Sequence, residues 1–136
     1  MALLATLPAV QALGFGLSDY DDAYHLVQQP FLQLPPLEAL QQALFSPQYY
    51  LYSPVFSLSF LIDSWVHAGL GGSPGAAYSH LVNLLLHVGT CLLLLRLARR
   101  LLPGARWAAL LGVMLFAWHP VNVEPVVWIT ARKELL

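Results

Sequence analysis

Two stretches of this chain hold most of the side chains that could do chemistry. The first reads SDYDDAYHL over residues 18–26 and places Asp19, Asp21 and Asp22 within four positions. A carboxylate set against a hydroxyl can take its proton as the oxygen attacks, so Asp21 and Asp22 are candidate general bases. Neighbouring residues in an extended segment or turn point their side chains in different directions. Only one of the pair then reaches a given hydroxyl, and the other can bond backbone or a cation. The plainer use of these carboxylates is solvation of a loop or capping of a turn. The second stretch, HPVNVEPVVWITARKELL over residues 119–136, holds His119, Glu124, Arg132 and Lys133. Glu124 is the next candidate base. A basic pair on a water-facing side can bind a phosphate. Arg132, supported by Lys133, is therefore a candidate phosphate ligand, and His119 is grouped with them as a substrate-binding residue. The plainer use of Arg132-Lys133 is as a pair of topology anchors.

A third set lies inside an apolar run. His80, Asn83 and His87 stand at i, i+3 and i+7 and share one stripe of a helix. Polar stripes in membrane helices turn toward other helices, where they hydrogen-bond. Neutral imidazoles can also hold a metal. We favour hydrogen bonding, because this spacing does not aim both rings at one point. No metal site and no cofactor is assigned, and a divalent metal is not favoured.

The elements that must position these groups are membrane helices. The chain has 136 residues, 58% hydrophobic and only 10% charged, against about 25% charged in a soluble domain. That composition makes lipid the solvent. The net charge of −1 gives no electrostatic case for nucleic acid. Cys91, the single cysteine, is excluded from any intrachain disulfide and reads as a small apolar filler. Residues 1–17 read as a first membrane helix, short for a full crossing, with no basic segment before it to mark a secretory signal. Residues 18–77 form an outer loop. Within it, PLEALQQALF (36–45) predicts a helix lying on the membrane surface, with Leu37, Leu40, Ala43 and Leu44 on one face. Tyrosines at 49, 50 and 52 suit the interface. Residues 54–70 are apolar but hold Asp63, Ser64 and His67, so a surface or partly embedded helix is preferred to a crossing.

The long span 78–102 is a membrane helix, and 105–119 is the return helix. Segment 120–136 is an outer segment leading into a further helix. The whole is expected to be an all-α polytopic membrane bundle of about three membrane helices plus interfacial helices. Its pattern stops in mid-run at Leu136, as in a fragment. Arg96, Arg99, Arg100 and Arg106, four of the six basic residues, crowd the connector between the long helix and its return. The positive-inside rule makes that connector cytoplasmic. Asp21 and Asp22, His80 and Asn83, and His119, Asn122 and Glu124 then all arrive on the opposite face.

The stretches YDDAY (20–24), YSPVFSLSFLID (52–63), YSHLVNLLLH (78–87) and LFAWHPVNVEPVVWITARKELL (115–136) resemble the beginning of integral-membrane glycosyltransferases of the GT-C type. The likeness is to protein O-mannosyltransferase-like proteins that continue into tetratricopeptide repeats. The last stretch is the most specific, joining HPV-x-x-E to W-I-x-x-R-K-[DE]-L-L. The resemblance implies inverting transfer of a sugar, typically mannose, from a polyprenyl phosphate to a protein hydroxyl on the non-cytoplasmic face. The setting would be a bacterial inner membrane, or the endoplasmic reticulum in a eukaryote. Partners would be membrane lipid, the lipid-linked donor and a protein acceptor. It also places Asp21 or Asp22 in the active site, Asp21 foremost. Tyr52-Ser53-Pro54 departs from the Tyr-Arg-Pro of many relatives and lacks a basic group. A non-enzymatic membrane subunit, in which these polar groups merely lock helices together, is the alternative. A transporter fragment with Asp63 and the histidines as a proton path is weaker.

Overall fold

A computed structural model describes residues 10–17, 22, 28–47, 52–69 and 76–136. The described residues are all-α, with no strand among them. Short 3-10 helices cover Val10–Gly14 and Pro30–Gln33, and then come α1 (Pro36–Phe45), α2 (Pro54–Gly69) and α3 (Ala76–Leu101). After a turn, α4 (Arg106–Ala117) leads through a 3-10 turn at Pro120–Asn122 into α5 (Val123–Val127), and a last 3-10 helix spans Ile129–Glu134. Residues 1–9 of the expected first membrane helix lie outside the described residues.

Proline opens α1, where its missing N–H costs nothing, and Glu38 in the first turn complements the positive end of the helix. The face that α1 buries matches the expected one in part, since Ala43 is buried and Leu40 packs against the same cluster. Ala39 and Ala43 are turned inward against Phe31 and Leu61, whereas Leu37 is exposed. Small residues allow the backbone of α1 to approach α2 closely. The Tyr52 hydroxyl donates to the Leu44 carbonyl at 2.9 Å and ties the end of α1 to the start of α2.

α3 is 26 residues long, about 39 Å at 1.5 Å per residue, and so exceeds the ~30 Å hydrocarbon core. Its buried face is polar: Ser79, His80, Asn83 and His87, with Leu84 and Cys91. Its exposed face carries Leu81, Leu85, Leu92, Leu93 and Leu97. A soluble protein turns a helix the other way, with the leucines inside. Only 22% of its most apolar stretch is buried.

α4 differs from the expected single return helix. Its 12 residues reach only about 18 Å. Pro120 cannot donate the next helical hydrogen bond, and the chain bends by 54° between Arg106–Ala117 and Pro120–Val127. The two halves together are long and apolar enough for a broken span or a re-entrant loop, which gives one crossing helix or up to two among the described residues. Between α3 and α4, Gly104 takes φ +89°, a conformation that side-chain-bearing residues avoid, and this allows the tight reversal after Pro103. Cys91 packs with Ala117 and Val113 where α4 lies on α3, as a small filler. α2 is 16 residues long and, among the described residues, does not qualify as a crossing by length and composition.

Candidate functional site

The site is assembled where the last 3-10 helix folds back over the middle of α2 and the N-terminal end of α3. Its fixed point is Arg132, whose side chain has no exposed surface. Nη2 donates to Asp63 Oδ2 at 2.8 Å and to the Ser79 carbonyl at 3.2 Å, while Nε donates to Asn83 Oδ1 at 2.7 Å. Nη1 reaches Ser59 Oγ at 3.4 Å, and the guanidinium carbon lies 4.6 Å from the Phe60 ring centroid. Ser79 Oγ donates to the same Asp63 oxygen at 3.0 Å. The carboxylate that made α2 a doubtful crossing is thus neutralised by an arginine 69 residues later. A buried pair of this kind is tolerated because extra hydrogen bonds satisfy both charges.

Asn83 holds the same segment from its other end. Its Nδ2 lies 3.3 Å from the carbonyls of Pro125 and Trp128 and 3.4 Å from that of Ile129. Pro125 lies in α5, and Trp128 and Ile129 stand at its junction with the last 3-10 helix, where the Trp128 carbonyl also accepts the Ala131 N–H at 3.1 Å. Held by Asn83 and Arg132, the segment turns the Thr130 N–H to Asp22, whose Oδ1 accepts it at 3.1 Å across 108 residues of sequence.

Beside this contact lies a cavity of about 330 Å3, lined by Phe15, Gly16, Leu17, Asp22, His80, Val127 and Trp128. His80 is 2% exposed. Neither of its ring nitrogens has a hydrogen-bond partner, nor does the buried Nε1 of Trp128. The Gly16 backbone approaches the imidazole, but outside hydrogen-bond geometry. The cavity wall therefore combines the Asp22 carboxylate with apolar surface, while the ring nitrogens of His80 and Trp128 are buried. Among the described residues, no group of three His, Cys, Asp or Glu side chains is placed to share a metal ion.

Of the residues singled out in the sequence, Asp22 and His80 line the cavity, and Asn83 holds the segment that bears its Trp128 wall. Asp21 lies outside the described residues. Arg132 reaches the same region but from beneath, as an internal ion-pair partner with its donors engaged and not as a cation facing a ligand. His119, Glu124 and Lys133 are exposed and do not line the cavity. His119 Nδ1 accepts the Val121 N–H at 3.2 Å and so caps the Pro120 turn. Of the polar stripe on α3, Asn83 makes the expected bonds between elements. His87 contacts Cys91 Sγ at 3.8 Å and stacks on Phe116, while His80 makes no such bond. Sequence reasoning missed Trp128 and the partnership of Asp63 with Arg132. A signal for the second was available: a carboxylate in an apolar helix needs a cation, and few cations lie outside the connector.

Comparison with known proteins gives relatives of one kind. Over 84 residues, 62% of this chain, it is 38% identical to protein O-mannosyl-transferase TMTC2 of Mus musculus, covering 9% of that protein. Protein O-mannosyl-transferase Tmtc3 of Drosophila melanogaster is 35% identical over 104 residues, with 11% of it covered. Protein O-mannosyl-transferase TMTC1 of Mus musculus is 28% identical over 128 residues, 86% of this chain and 13% of that protein. The chain thus spans about a tenth of the length of the curated relatives it matches. No family model matches. No solved structure matches. The resemblance to protein O-mannosyltransferase-like proteins is borne out over this part of the chain.

Proposed function

We propose that this chain is part of a membrane glycosyltransferase that moves a sugar, mannose by the likeness to its relatives, from a polyprenyl phosphate to a protein hydroxyl. The reaction faces the non-cytoplasmic side, which is the endoplasmic reticulum lumen if the source is eukaryotic. The observation that carries this reading is the similarity to protein O-mannosyl-transferases over 84 residues. The cavity beside Asp22 supports it.

In this mechanism the acceptor oxygen attacks the anomeric carbon from the side opposite the phosphate, and the configuration inverts. As the new C–O bond forms, the acceptor proton passes to a carboxylate. The bond between the anomeric carbon and the phosphate oxygen breaks, and its electron pair leaves with the phosphate. Asp22 has an oxygen engaged by the Thr130 N–H, which suits it to anchoring the pair. Asp21 is proposed as the base, with Glu124 next. The leaving phosphate needs a cation. Arg132 has its donors engaged inside the protein, so Lys133 and His119, exposed on the same C-terminal segment, take that role.

The test uses the full-length protein. Asp21→Asn keeps shape but removes the basic site, so turnover falls by about 100-fold or more. The KM for the lipid-linked donor stays nearly constant. If Asp21→Asn transfers normally and Asp22→Asn does not, the two roles are exchanged. If both variants transfer normally, neither aspartate is the base.

A further inference from the structure

We propose that the groove at the C-terminal end of α3 binds one anionic phospholipid, with Arg96, Arg99 and Arg100 on its phosphate and Leu93 and Leu97 against an acyl chain. The groove lies at the opposite end of α3 from the Asp22 cavity, and it does not depend on the transfer reaction.

Helical spacing builds the groove. Leu93, Arg96, Leu97 and Arg100 stand at i, i+3, i+4 and i+7 and form one stripe, with Arg99 beside it. Cys91 packs against Val113 and Ala117 of α4. At about 100° per residue, the stripe two positions later is turned away from α4. All five side chains are exposed, and they enclose about 590 Å3. That is within the roughly 300–1,000 Å3 of small-ligand sites.

Depth then fits a lipid. The leucine side of the groove continues the exposed row of Leu81, Leu85 and Leu92, the surface that α3 offers to hydrocarbon. Arg96 lies about 30 Å along the helix from Ala76, the thickness of the hydrocarbon core. The arginines therefore stand at headgroup level, where their long stems carry the guanidinium groups to water while Leu93 and Leu97 stay against acyl chains. Trp107 is exposed just beyond the turn, with the Arg106 guanidinium carbon 5.5 Å from its ring centroid. Indole rings favour this same interface.

Charge selects the headgroup. Residues 64–123 hold four arginines and no Asp or Glu. Among the described residues, the one ion pair is that of Arg132 with Asp63, so no carboxylate there neutralises the groove. Guanidinium groups bind phosphate oxygens bidentately. The ammonium of a zwitterionic headgroup would meet only cations here, so a lipid with a phosphate and no amine is preferred. An acidic protein segment would pair with the arginines but would leave Leu93 and Leu97 uncovered. By the positive-inside rule the leaflet is the cytoplasmic one, where anionic lipids attract basic side chains beside a membrane helix.

Native mass spectrometry of the full-length protein in detergent, with equal amounts of phosphatidylglycerol and phosphatidylcholine, tests the site. One phosphatidylglycerol is expected to bind about tenfold or more tightly than phosphatidylcholine. Arg96→Gln combined with Arg100→Gln should weaken it by about 25-fold, at about fivefold for each arginine near an anionic headgroup. An unchanged denaturant midpoint reports that the double variant is folded. Arg106→Gln removes the same charge outside the groove and should change binding by no more than about twofold. An effect of Arg106→Gln as large as that of Arg96→Gln alone would show a diffuse basic field and overturn the proposal. Equal binding of the two lipids, as when another helix of the full-length protein covers the stripe, would overturn it as well. Glycerophosphoglycerol, the headgroup without its chains, should compete poorly. Competition as strong as that of the lipid would leave a simple anion site and sink the lipid assignment.

Discussion

The arginines of this protein fall into two populations at opposite ends of α3. Arg96, Arg99 and Arg100 are exposed at its C-terminal end, with Arg106 just beyond, and three of them line an open groove with Leu93 and Leu97. Arg132 is fully buried near the N-terminal end and bonds Asp63, Asn83, Ser79 and Ser59. The side chain is the same, and solvent decides what it does. An exposed guanidinium keeps its hydration and contributes little to folding, yet it resists crossing a bilayer and so sets topology. A buried one has lost that hydration. It is tolerable only while its partners stay in place, which makes it a fastening.

The sharpest way to break this comparison is to remove one half of the buried pair. Arg132→Gln or Asp63→Asn leaves an uncompensated charge, and each should cost about 3–5 kcal/mol, read from the denaturant midpoint in detergent. Replacing both, Asp63→Leu with Arg132→Met, should recover most of that stability, because a buried pair is commonly no better than well-packed apolar groups. If the single variants unfold like the wild type, Arg132 is not a fastening and its proposed exclusion from phosphate binding fails with it.

A smaller effect sharpens the picture. Asn83→Ala removes the donor to the carbonyls at 125, 128 and 129 and the acceptor for Arg132 Nε. Side-chain hydrogen bonds between membrane helices are worth about 0.6–2 kcal/mol, so the loss should fall below that of either ion-pair variant. A loss as large as that of Arg132→Gln would show that the two residues act as one unit.

The smallest thermodynamic effect belongs to the other population. Arg99→Gln should change stability by no more than about 0.5 kcal/mol, as for most surface substitutions. Removing Arg96, Arg99, Arg100 and Arg106 together should instead disturb orientation. Single cysteines at Pro103 and Asn122 report it: they are expected to label from the cytoplasm and from the outside, respectively. Labelling of position 103 from outside would reverse the topology.

Composition and spacing alone determined that the chain is all-α and that residues from 78 onward form a helix long enough to cross a membrane. These are properties of local pattern and of lipid as solvent, and neither depends on what packs where. The inward stripe of His80, Asn83 and His87 was legible for the same reason, since helical periodicity puts all three on one face. Tertiary structure decided the partners. Nothing in the neighbourhood of Asp63 or Arg132 joins them, because the pairing depends on a bend at Pro120 and a fold-back that brings residues 69 apart into contact. Thr130 and Asp22 meet across 108 residues for the same reason. Periodicity names a face, but a buried charge is satisfied by geometry, and only the folded chain supplies it.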